Sequence, residues 1–264
     1  MSFDLSGRRV LVTGASSGIG AGLAEGFARA GAVVGICARR EDRLKEVLTR
    51  CREHSPSSRM WVTDLARMEQ VDALAASAVE ELGGVDVLVN NAGVPKRRHV
   101  TALDPETVEA VMAINYLSPV RLTLALLPQM ISRGDGRIVN VSSVAAPLSS
   151  PGEAAYDASK AAISAFSEAM AIDLWETGVK VVVVYPGLVQ TELIDAPDND
   201  RLIAPVEPVP VSEVVDAVLD ALTHDRFQVY APAFFEQAAI GKAANVEGYL
   251  AGAALFVREY RRET

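Results

Sequence analysis

The chain has 264 residues, of which 50% are hydrophobic, and its formal net charge is −9. This hydrophobic share is enough for a sizeable buried core, and the negative charge disfavours a nucleic-acid partner. Residues Met1–Gly7 lack the pattern of a signal peptide, and no run of about 18 apolar residues occurs, so neither a signal peptide nor a transmembrane helix is expected.

Short runs rich in β-branched residues alternate with longer stretches of helical pattern. The predicted strands are Arg9–Val12, Val33–Cys37, Met60–Val62, Val85–Val89, Arg137–Val141, Val179–Tyr185 and Phe227–Val229. The predicted helices are Gly18–Ala30, Arg43–Glu53, Met68–Leu82, Pro105–Arg133, Glu153–Thr177 and Ser212–Leu222. This alternation indicates βαβ units, and strands that are apolar on both faces are typical of a parallel sheet covered on both sides. We therefore predict an α/β fold with a doubly wound parallel sheet of about seven strands, in a single domain over residues 1–264.

Two segments depart from the alternation. Glu192–Pro210 contains four prolines, namely Pro197, Pro205, Pro208 and Pro210, and predicts a long loop that serves as a substrate lid. Residues 231–264 form a C-terminal extension with apolar residues at helical spacing: Val246, Tyr249, Leu250, Ala253, Phe256, Val257 and Tyr260. We expect the body of the same subunit or a second subunit to cover this stripe. A membrane surface ranks last, because acidic residues dilute the positive charge of Arg258, Arg261 and Arg262.

A glycine-rich turn follows the first predicted strand, with Gly14, Gly18 and Gly20 in the sequence Thr-Gly-Ala-Ser-Ser-Gly-Ile-Gly. Such a turn lets the backbone approach a pyrophosphate, and the following helix offers free N–H groups to the anion. The alternative is a structural turn that enters a tightly packed helix.

The second predicted strand leads into Arg39 and Arg40, where many dinucleotide-binding folds have a carboxylate for the ribose 2′-hydroxyl. Guanidinium groups bind phosphate in a planar, bidentate way, which favours a 2′-phosphate and hence NADP(H) over NAD(H). The alternative is that both arginines pair on the surface with Glu41 and Asp42.

Tyr156 and Lys160 are four residues apart on a predicted helix and so share one face. A neighbouring ammonium lowers the pKa of a phenol, ordinarily about 10, and fits the tyrosine for proton transfer. Ser143 ends the fifth predicted strand and could polarise a substrate oxygen, with Ser142 as the competing candidate. Asn115 lies within a helical stretch, where it could bend the helix and hold a water or hydrogen-bond in a packed interior.

Taken together, these residues resemble the short-chain dehydrogenase/reductase family over about residues 5 to 230. The resemblance also includes Asp64, the segment Asn90–Gly93 and the pair Pro186–Gly187. It implies a Rossmann-type sheet, with Tyr156 as acid/base, Lys160 lowering its pKa, Ser143 orienting the substrate oxygen and Asn115 supporting a water in a proton relay. The residues implied in cofactor binding are Gly14, Ser16, Ser17, Gly18, Ile19, Gly20, Arg39, Arg40, Asp64, Leu65, Asn91, Ala92, Gly93, Tyr156, Lys160, Pro186, Gly187, Val189 and Thr191.

These observations predict an NADP(H)-preferring oxidoreductase, with NAD(H) as the second choice, that interconverts a ketone or aldehyde and an alcohol. An apolar pocket wall suggests a lipophilic substrate; it is formed by Val144, Ala145, Ala146, Pro147, Leu148, Leu188 and Val189. Alternatives are a reductase of acyl thioesters or sugars and a non-catalytic nucleotide-binding sensor. Lys96, Arg97 and Arg98 either hold an acidic substrate group or form a solvated charge run.

Two expectations concern the setting of the protein. The two cysteines, Cys37 and Cys51, lack metal-ligand spacing, so we expect a reducing, cytoplasmic compartment and no metal site. The family resemblance also implies a homodimer or homotetramer.

Overall fold

The computed structural model describes residues 3–204 and 206–263, in which seven strands alternate with helices. The strands are β1 (Arg9–Thr13), β2 (Val33–Ala38), β3 (Arg59–Val62), β4 (Val87–Asn90), β5 (Gly136–Val141), β6 (Val179–Pro186) and β7 (Gln228–Ala231). The α-helices are α1 (Gly18–Arg29), α2 (Glu41–Arg52), α3 (Met68–Leu82), α4 (Pro105–Met112), α5 (Ser118–Arg133), α6 (Ala145–Leu148), α7 (Ala154–Asp173), α8 (Val211–Thr223), α9 (Phe234–Ala244) and α10 (Val246–Glu263). A 3₁₀ turn at Val100–Ala102 precedes α4, and a π-helix at Ala113–Leu117 joins α4 to α5.

All seven strands form one parallel sheet in the order β3-β2-β1-β4-β5-β6-β7. Each predicted strand is present within two residues at either end, which confirms the doubly wound α/β fold. The strand order reverses between β1 and β4. In such sheets this reversal opens a crevice at the carboxyl ends of the strands, and ligands bind there.

Two hydrophobic layers hold the helices on the sheet. On one face, Phe27 of α1 and Val218 and Leu222 of α8 are fully buried against residues of β1 and β2. On the other face, Leu122 and Met130 of α5 pack with residues of α3, β5 and α7. Burial of both faces explains why the central strands are almost continuously apolar, since neither face meets water.

The helices differ from the sequence prediction in four places. The predicted helix Pro105–Arg133 is divided by the π-helix, and the predicted helix Glu153–Thr177 ends at Asp173. Two further helices, α6 and α9, were not predicted. Within the described residues, Pro105–Arg133 is long and apolar enough to cross a membrane by length and composition alone. In this structure it packs on α3, α7 and β5 as a core element.

Two segments depart from the alternation of strands and helices. Between β6 and α8, the described residues 187–204 and 206–210 form an irregular loop with one isolated bridge, between Val189 and Val209. Pro205, part of the predicted lid, lies outside the described residues. The predicted tail helix is present as α10, and its stripe is covered in part. Tyr249, Ala253, Phe256, Val257 and Tyr260 are half-buried, whereas Val246 and Leu250 are exposed.

Candidate active site

The turn after β1 is built so that only glycine fits at two positions. Gly14 has a φ of +67°, and a Cβ there would stand 2.7 Å from the Cα of Ala92. A Cβ on Gly20 would stand 2.4 Å from the carbonyl oxygen of Gly14. Ser17 is the N-cap of α1, yet its side chain does not bond the N–H groups of that helix. These N–H groups are therefore free for an anion, as the sequence predicts for a phosphate-binding turn.

Asn91 fixes this turn to the neighbouring strand. Its side-chain Nδ2 donates to the carbonyl oxygen of Thr13 at 2.9 Å, and the Thr13 hydroxyl accepts from the backbone N–H groups of Asn91 and Ala92 at 3.0 and 3.1 Å. Asn90, in contrast, faces into the sheet and bonds Asn140. Thus the amide of Asn91 shapes the crevice between β1 and β4, and the backbone of Ala92 and Gly93 runs along its edge.

Arg40 lies against the turn, as the phosphate hypothesis requires. Its guanidinium donates to the hydroxyls of Ser16 at 3.1 Å and Ser17 at 2.5 Å. The predicted alternative was a surface pairing of both arginines with Glu41 and Asp42. Glu41 instead pairs with Lys45 at 2.7 Å, and Arg40 forms its surface ion pair with Glu192 at 2.6 Å. Arg39 is exposed. Of the two arginines, Arg40 is therefore the one in contact with the turn.

The remaining cofactor candidates lie at the same edge of the sheet. Asp64 follows β3 and accepts from the backbone N–H of Ala66 at 3.1 Å, and Leu65 beside it is buried. At the end of β6, Gly187 is covered by the ring of Phe235 from α9, so closely that a Cβ would stand 2.4 Å from it. Thr191 lies over the turn, where its Cγ2 is 3.0 Å from the position of a Cβ on Gly18.

Tyr156, Lys160 and Ser143 meet beside this crevice, as predicted. The Nζ of Lys160 is 5.7 Å from the centroid of the Tyr156 ring and donates to the carbonyl oxygen of Val141 at 2.8 Å. The Ser143 side chain lies close enough to the Tyr156 phenol to influence the pKa of that phenol. A proton donor, a second hydroxyl and a cation are thereby brought to one place at the carboxyl edge of the sheet.

The electrostatics of Tyr156 differ from the sequence expectation. Burial is the largest effect and raises the pKa of the Tyr156 phenol, whereas the Ser143 hydrogen bond lowers it. The carboxyls of Glu153 and Asp157 raise the pKa of Tyr156 further. Burial also lowers the pKa of Lys160 to about 8. A desolvated phenol resists ionisation, so Tyr156 stays protonated at neutral pH and is fitted to donate a proton.

The two serine candidates are separated by their hydrogen bonds. Ser142 bonds the carbonyl oxygen of Lys160 at 2.9 Å and the hydroxyl of Ser164 at 2.8 Å, which holds it in the interior. Ser143 accepts from the backbone N–H of Ala145 at 3.1 Å and contacts Tyr156. The geometry therefore favours Ser143, the candidate that the sequence preferred.

Asn115 is buried at the centre of the π-helix. Its Oδ1 accepts from the N–H of Val94 at 2.8 Å, and its Nδ2 donates to the carbonyl oxygen of Val94 and to the hydroxyl of Ser159, both at 3.0 Å. Ser159 in turn donates to the carbonyl oxygen of Tyr156 at 2.7 Å. The sequence reading missed Ser159, although it stands beside Lys160. This serine ties Asn115 to the helix that carries the catalytic candidates.

Lys96, Arg97 and Arg98 adopt neither of the two predicted roles. Arg97 is buried and donates to the carbonyl oxygens of Ile194 and Asp200 at 2.5 and 3.0 Å. Lys96 and Arg98 pair with Asp198, and Arg98 also pairs with Asp200 at 3.1 Å. This run of cations therefore fastens the 187–210 loop to the segment after β4.

A cleft of about 680 Å³ lies between α7, the loop after α6 and α10; Asp157, the neighbour of Tyr156 in sequence, lines it, whereas Tyr156 itself does not. Its wall is mostly apolar and includes Ala146, Val100, Ala158, Ala253 and Val257, with Asp157 as the one acidic group among the described lining residues. Of the predicted pocket wall, Ala146 lines this cleft, whereas Ala145, Leu148 and Val189 are buried. Among the described residues, no group of three or more His, Cys, Asp or Glu side chains could hold a metal ion.

Comparisons with known proteins agree with this geometry. A family model described as short chain dehydrogenase matches residues 8–201. A fatty acyl-CoA reductase of Mycobacterium tuberculosis is 41% identical over 198 residues, which are 72% of this chain and 66% of the relative. A fatty acyl-CoA reductase of Acinetobacter baylyi is 37% identical over 193 residues, 72% of this chain and 65% of that relative. The matched region thus spans just under two thirds of the length of these relatives.

Solved structures cover nearly the whole chain. A short chain dehydrogenase/reductase from Burkholderia phymatum in complex with NAD has a TM-score of 0.84 at 25% identity, over 93% of this chain and 96% of its own. A short-chain dehydrogenase from Sphingobium yanoikuyae in complex with NADPH has a TM-score of 0.81 at 29% identity, over 92% of this chain and 95% of its own.

Proposed function

The chain belongs to the short-chain dehydrogenase family, and we propose that it is an NADP(H)-preferring oxidoreductase that interconverts a ketone or aldehyde and an alcohol. One observation carries the proposal. Tyr156 lies close to the hydroxyl of Ser143, and the centroid of its ring is 5.7 Å from the ammonium nitrogen of Lys160, at the edge of the sheet where ligands bind in this fold. Retention of all three groups argues against a non-catalytic nucleotide sensor.

The residues of the crevice fit a nicotinamide dinucleotide. The glycine-lined turn and the free N–H groups of α1 suit its pyrophosphate, and Arg40 with Ser16 and Ser17 suits a 2′-phosphate. When bound, the nicotinamide supplies or accepts the hydride. NAD(H) remains the second candidate, because the turn itself does not distinguish the two dinucleotides.

In the reducing direction, the chain's own groups act on the substrate oxygen. Tyr156 donates the proton, and burial suits it to this role because the phenol remains protonated at neutral pH. Ser143 donates a second hydrogen bond to the oxygen as negative charge develops there. The ammonium of Lys160 stabilises the phenolate that remains, since an adjacent cation favours the charged form.

Asn115 would support the return of the proton. Asn115 Oδ1 and Lys160 Nζ lie 3.3 and 3.4 Å from one point beside Gly93, the position that a Cβ on that residue would occupy. The two groups therefore border the same small space. A water held there by Asn115 could pass a proton toward Lys160 in the relay that the family resemblance implies.

The substrate class has two candidates. The apolar cleft supports a lipophilic ketone, aldehyde or alcohol. The second candidate is an acyl thioester, supported by two relatives that are fatty acyl-CoA reductases. Reduction of a thioester releases an aldehyde and a free thiol, whereas reduction of a ketone releases no thiol.

The experiment follows oxidation of NADPH with a panel of ketones, aldehydes, steroids and long-chain acyl-CoA, with a thiol reagent in parallel. Tyr156→Phe should lower turnover by roughly 10²- to 10⁴-fold while NADPH still binds. Tyr230→Phe removes a phenol hydroxyl on β7, outside the group formed by Tyr156, Lys160 and Ser143, and serves as the matched control. Near-normal turnover in Tyr156→Phe would remove that residue from the mechanism. Thiol release with acyl-CoA alone would select the second substrate class.

We also propose an oligomeric state and a cellular location for the protein. Exposed apolar side chains on α5 and α7, namely Leu124, Ile131 and Ile172, support a homodimer or homotetramer. Both cysteines are buried free thiols, which supports a reducing, cytoplasmic location.

A further inference from the structure

A carboxylate of the chain itself occupies the anion site at Arg40. The Oε2 of Glu192 lies 2.6 Å from Nη1 of Arg40, and its Oε1 lies 3.3 Å from Nη1 of Arg43. The same Arg40 guanidinium holds the hydroxyls of Ser16 and Ser17 at the phosphate-binding turn. Two guanidiniums thus hold one carboxylate beside the two hydroxyls of the turn, a donor set suited to a phosphate.

This contact joins two parts of the chain that are 152 residues apart. Glu192 directly follows Thr191, whose methyl group lies against Gly18. Residues 191 and 192 therefore cross the glycine turn, from the loop after β6 toward Arg40 after β2. The ion pair between Glu192 and Arg40 holds the far end of this crossing. The loop that begins here continues to Asp198 and Asp200, which pair with Arg98 in the segment after β4.

We propose that Glu192 is a specificity-determining residue that competes with the 2′-phosphate of NADP(H) for Arg40 and Arg43. The proposal rests on the cofactor preference inferred above. A phosphate monoester carries more negative charge than a carboxylate and has three acceptor oxygens, so it displaces Glu192 from the guanidiniums. NAD(H) has a hydroxyl at that position and leaves the pair of Arg40 and Glu192 in place.

The competition predicts the direction in which Glu192 changes the affinity for NADPH. Glu192 must leave Arg40 before a 2′-phosphate can bind there, so the carboxylate weakens the binding of NADPH and moderates the preference over NADH. Both partners are about half exposed, at 48% and 50%, and water screens their attraction. Glu192 therefore weakens NADPH binding only modestly. The loss is of the size of a surface ion pair plus the repulsion between the displaced carboxylate and the phosphate.

The test is a titration of NADPH and NADH, followed by fluorescence, on the whole protein. Glu192→Gln keeps the shape of the side chain and removes its charge. We expect it to lower the Kd for NADPH by about three- to tenfold and to change the Kd for NADH by less than about twofold. Glu207→Gln removes the same charge from an exposed site on the same loop and should change neither Kd by more than twofold.

A double-mutant cycle isolates the contact. In an Arg40→Ala background, Glu192→Gln should tighten NADPH less than it does in the parent, because only Arg43 is then left for the carboxylate and the phosphate to share. If the parent protein binds NADPH and NADH equally, the proposed cofactor preference is wrong. If the parent prefers NADPH but Glu192→Gln changes neither affinity, or tightens both cofactors alike, the competition is refuted while the preference stands.

Discussion

Replacing Asp157 with asparagine should change how the stability of the protein depends on pH. Asp157 lies in α7 beside Tyr156 and is only 8% exposed. Its Oδ2 accepts from the backbone N–H of Ser150 at 2.7 Å, while its Oδ1 has no hydrogen-bond partner within the part of the chain that the structure describes. Burial, reinforced by the nearby carboxyl of Glu153, raises the pKa of Asp157 from 3.8 to about 7. Between these two pKa values, the Asp157 carboxyl keeps its proton in the folded protein and has released it in the unfolded chain.

The sign and size of the effect follow from these two pKa values. Below about pH 4 the group is protonated in both states. Between pH 4 and 7 the folded state binds one more proton, so the free energy of unfolding falls by about 1.4 kcal/mol per pH unit as the pH rises. The loss is complete once the pH passes the folded pKa. Between pH 5 and 8 this single group would cost the parent protein about 3 kcal/mol, an upper figure that structural relaxation reduces.

Urea unfolding at pH 5 and pH 8, at one protein concentration, measures this difference. Asp157→Asn cannot ionise, so its stability relative to the parent should rise by up to about 3 kcal/mol on going from pH 5 to pH 8. Glu168→Gln, at an exposed position of the same helix, should show no comparable pH dependence. An equal difference between parent and Asp157→Asn at both pH values would show that Asp157 does not bind its proton more tightly in the folded state.

Three further predictions concern the cofactor, the loop and the tail. NADPH should bind about tenfold more tightly than NADH, a difference of roughly 1.4 kcal/mol in binding free energy. Arg40→Ala should reduce this difference more than Arg39→Ala does, since Arg40 contacts the turn. If a fluorescence titration shows that both variants reduce it equally, Arg40 is not the main phosphate ligand. Hydrogen exchange over residues 192–210 should become slower when cofactor and substrate are both bound. It should become faster in high salt, because exposed ion pairs hold the loop in place. An exchange rate that changes with neither ligands nor salt would exclude a lid. Truncation after Asn245 removes α10 but keeps the contact of Phe235 with Gly187, so it should weaken substrate binding or alter the oligomeric state more than it weakens cofactor binding. Unchanged light scattering together with unchanged substrate affinity would show that α10 is dispensable.

Much of the fold could be predicted from the sequence because its signals are local. Short apolar runs of three to seven residues mark strands whether or not their neighbours are known, and all seven predicted strands are present. The four-residue spacing of Tyr156 and Lys160 places them on one helical face by geometry alone. Parallel strands bring their carboxyl ends to one edge, so the turn after β1 and Ser143 after β5 were expected to meet.

Other features were decided by contacts between distant segments. The interruption at Asn115 is set by its bonds to Val94 and Ser159, neither of which is visible in the local helical pattern. The high pKa of Tyr156 arises from burial, whereas its neighbour Lys160 had suggested the opposite direction. Burial depends on packing, which residue spacing does not encode.

The sequence by itself determined the strand order along the chain, the glycine turn and the set of groups at the catalytic edge. Only the tertiary structure decided which charges meet: Glu192 on Arg40, and Asp198 and Asp200 on Arg98. Each pair joins residues about 100 or more positions apart, and several carboxylates on the loop could have served equally well by charge alone. Their selection depends on how the loop after β6 crosses the crevice, because an ion pair forms only where the folded backbone brings the two groups within about 4 Å.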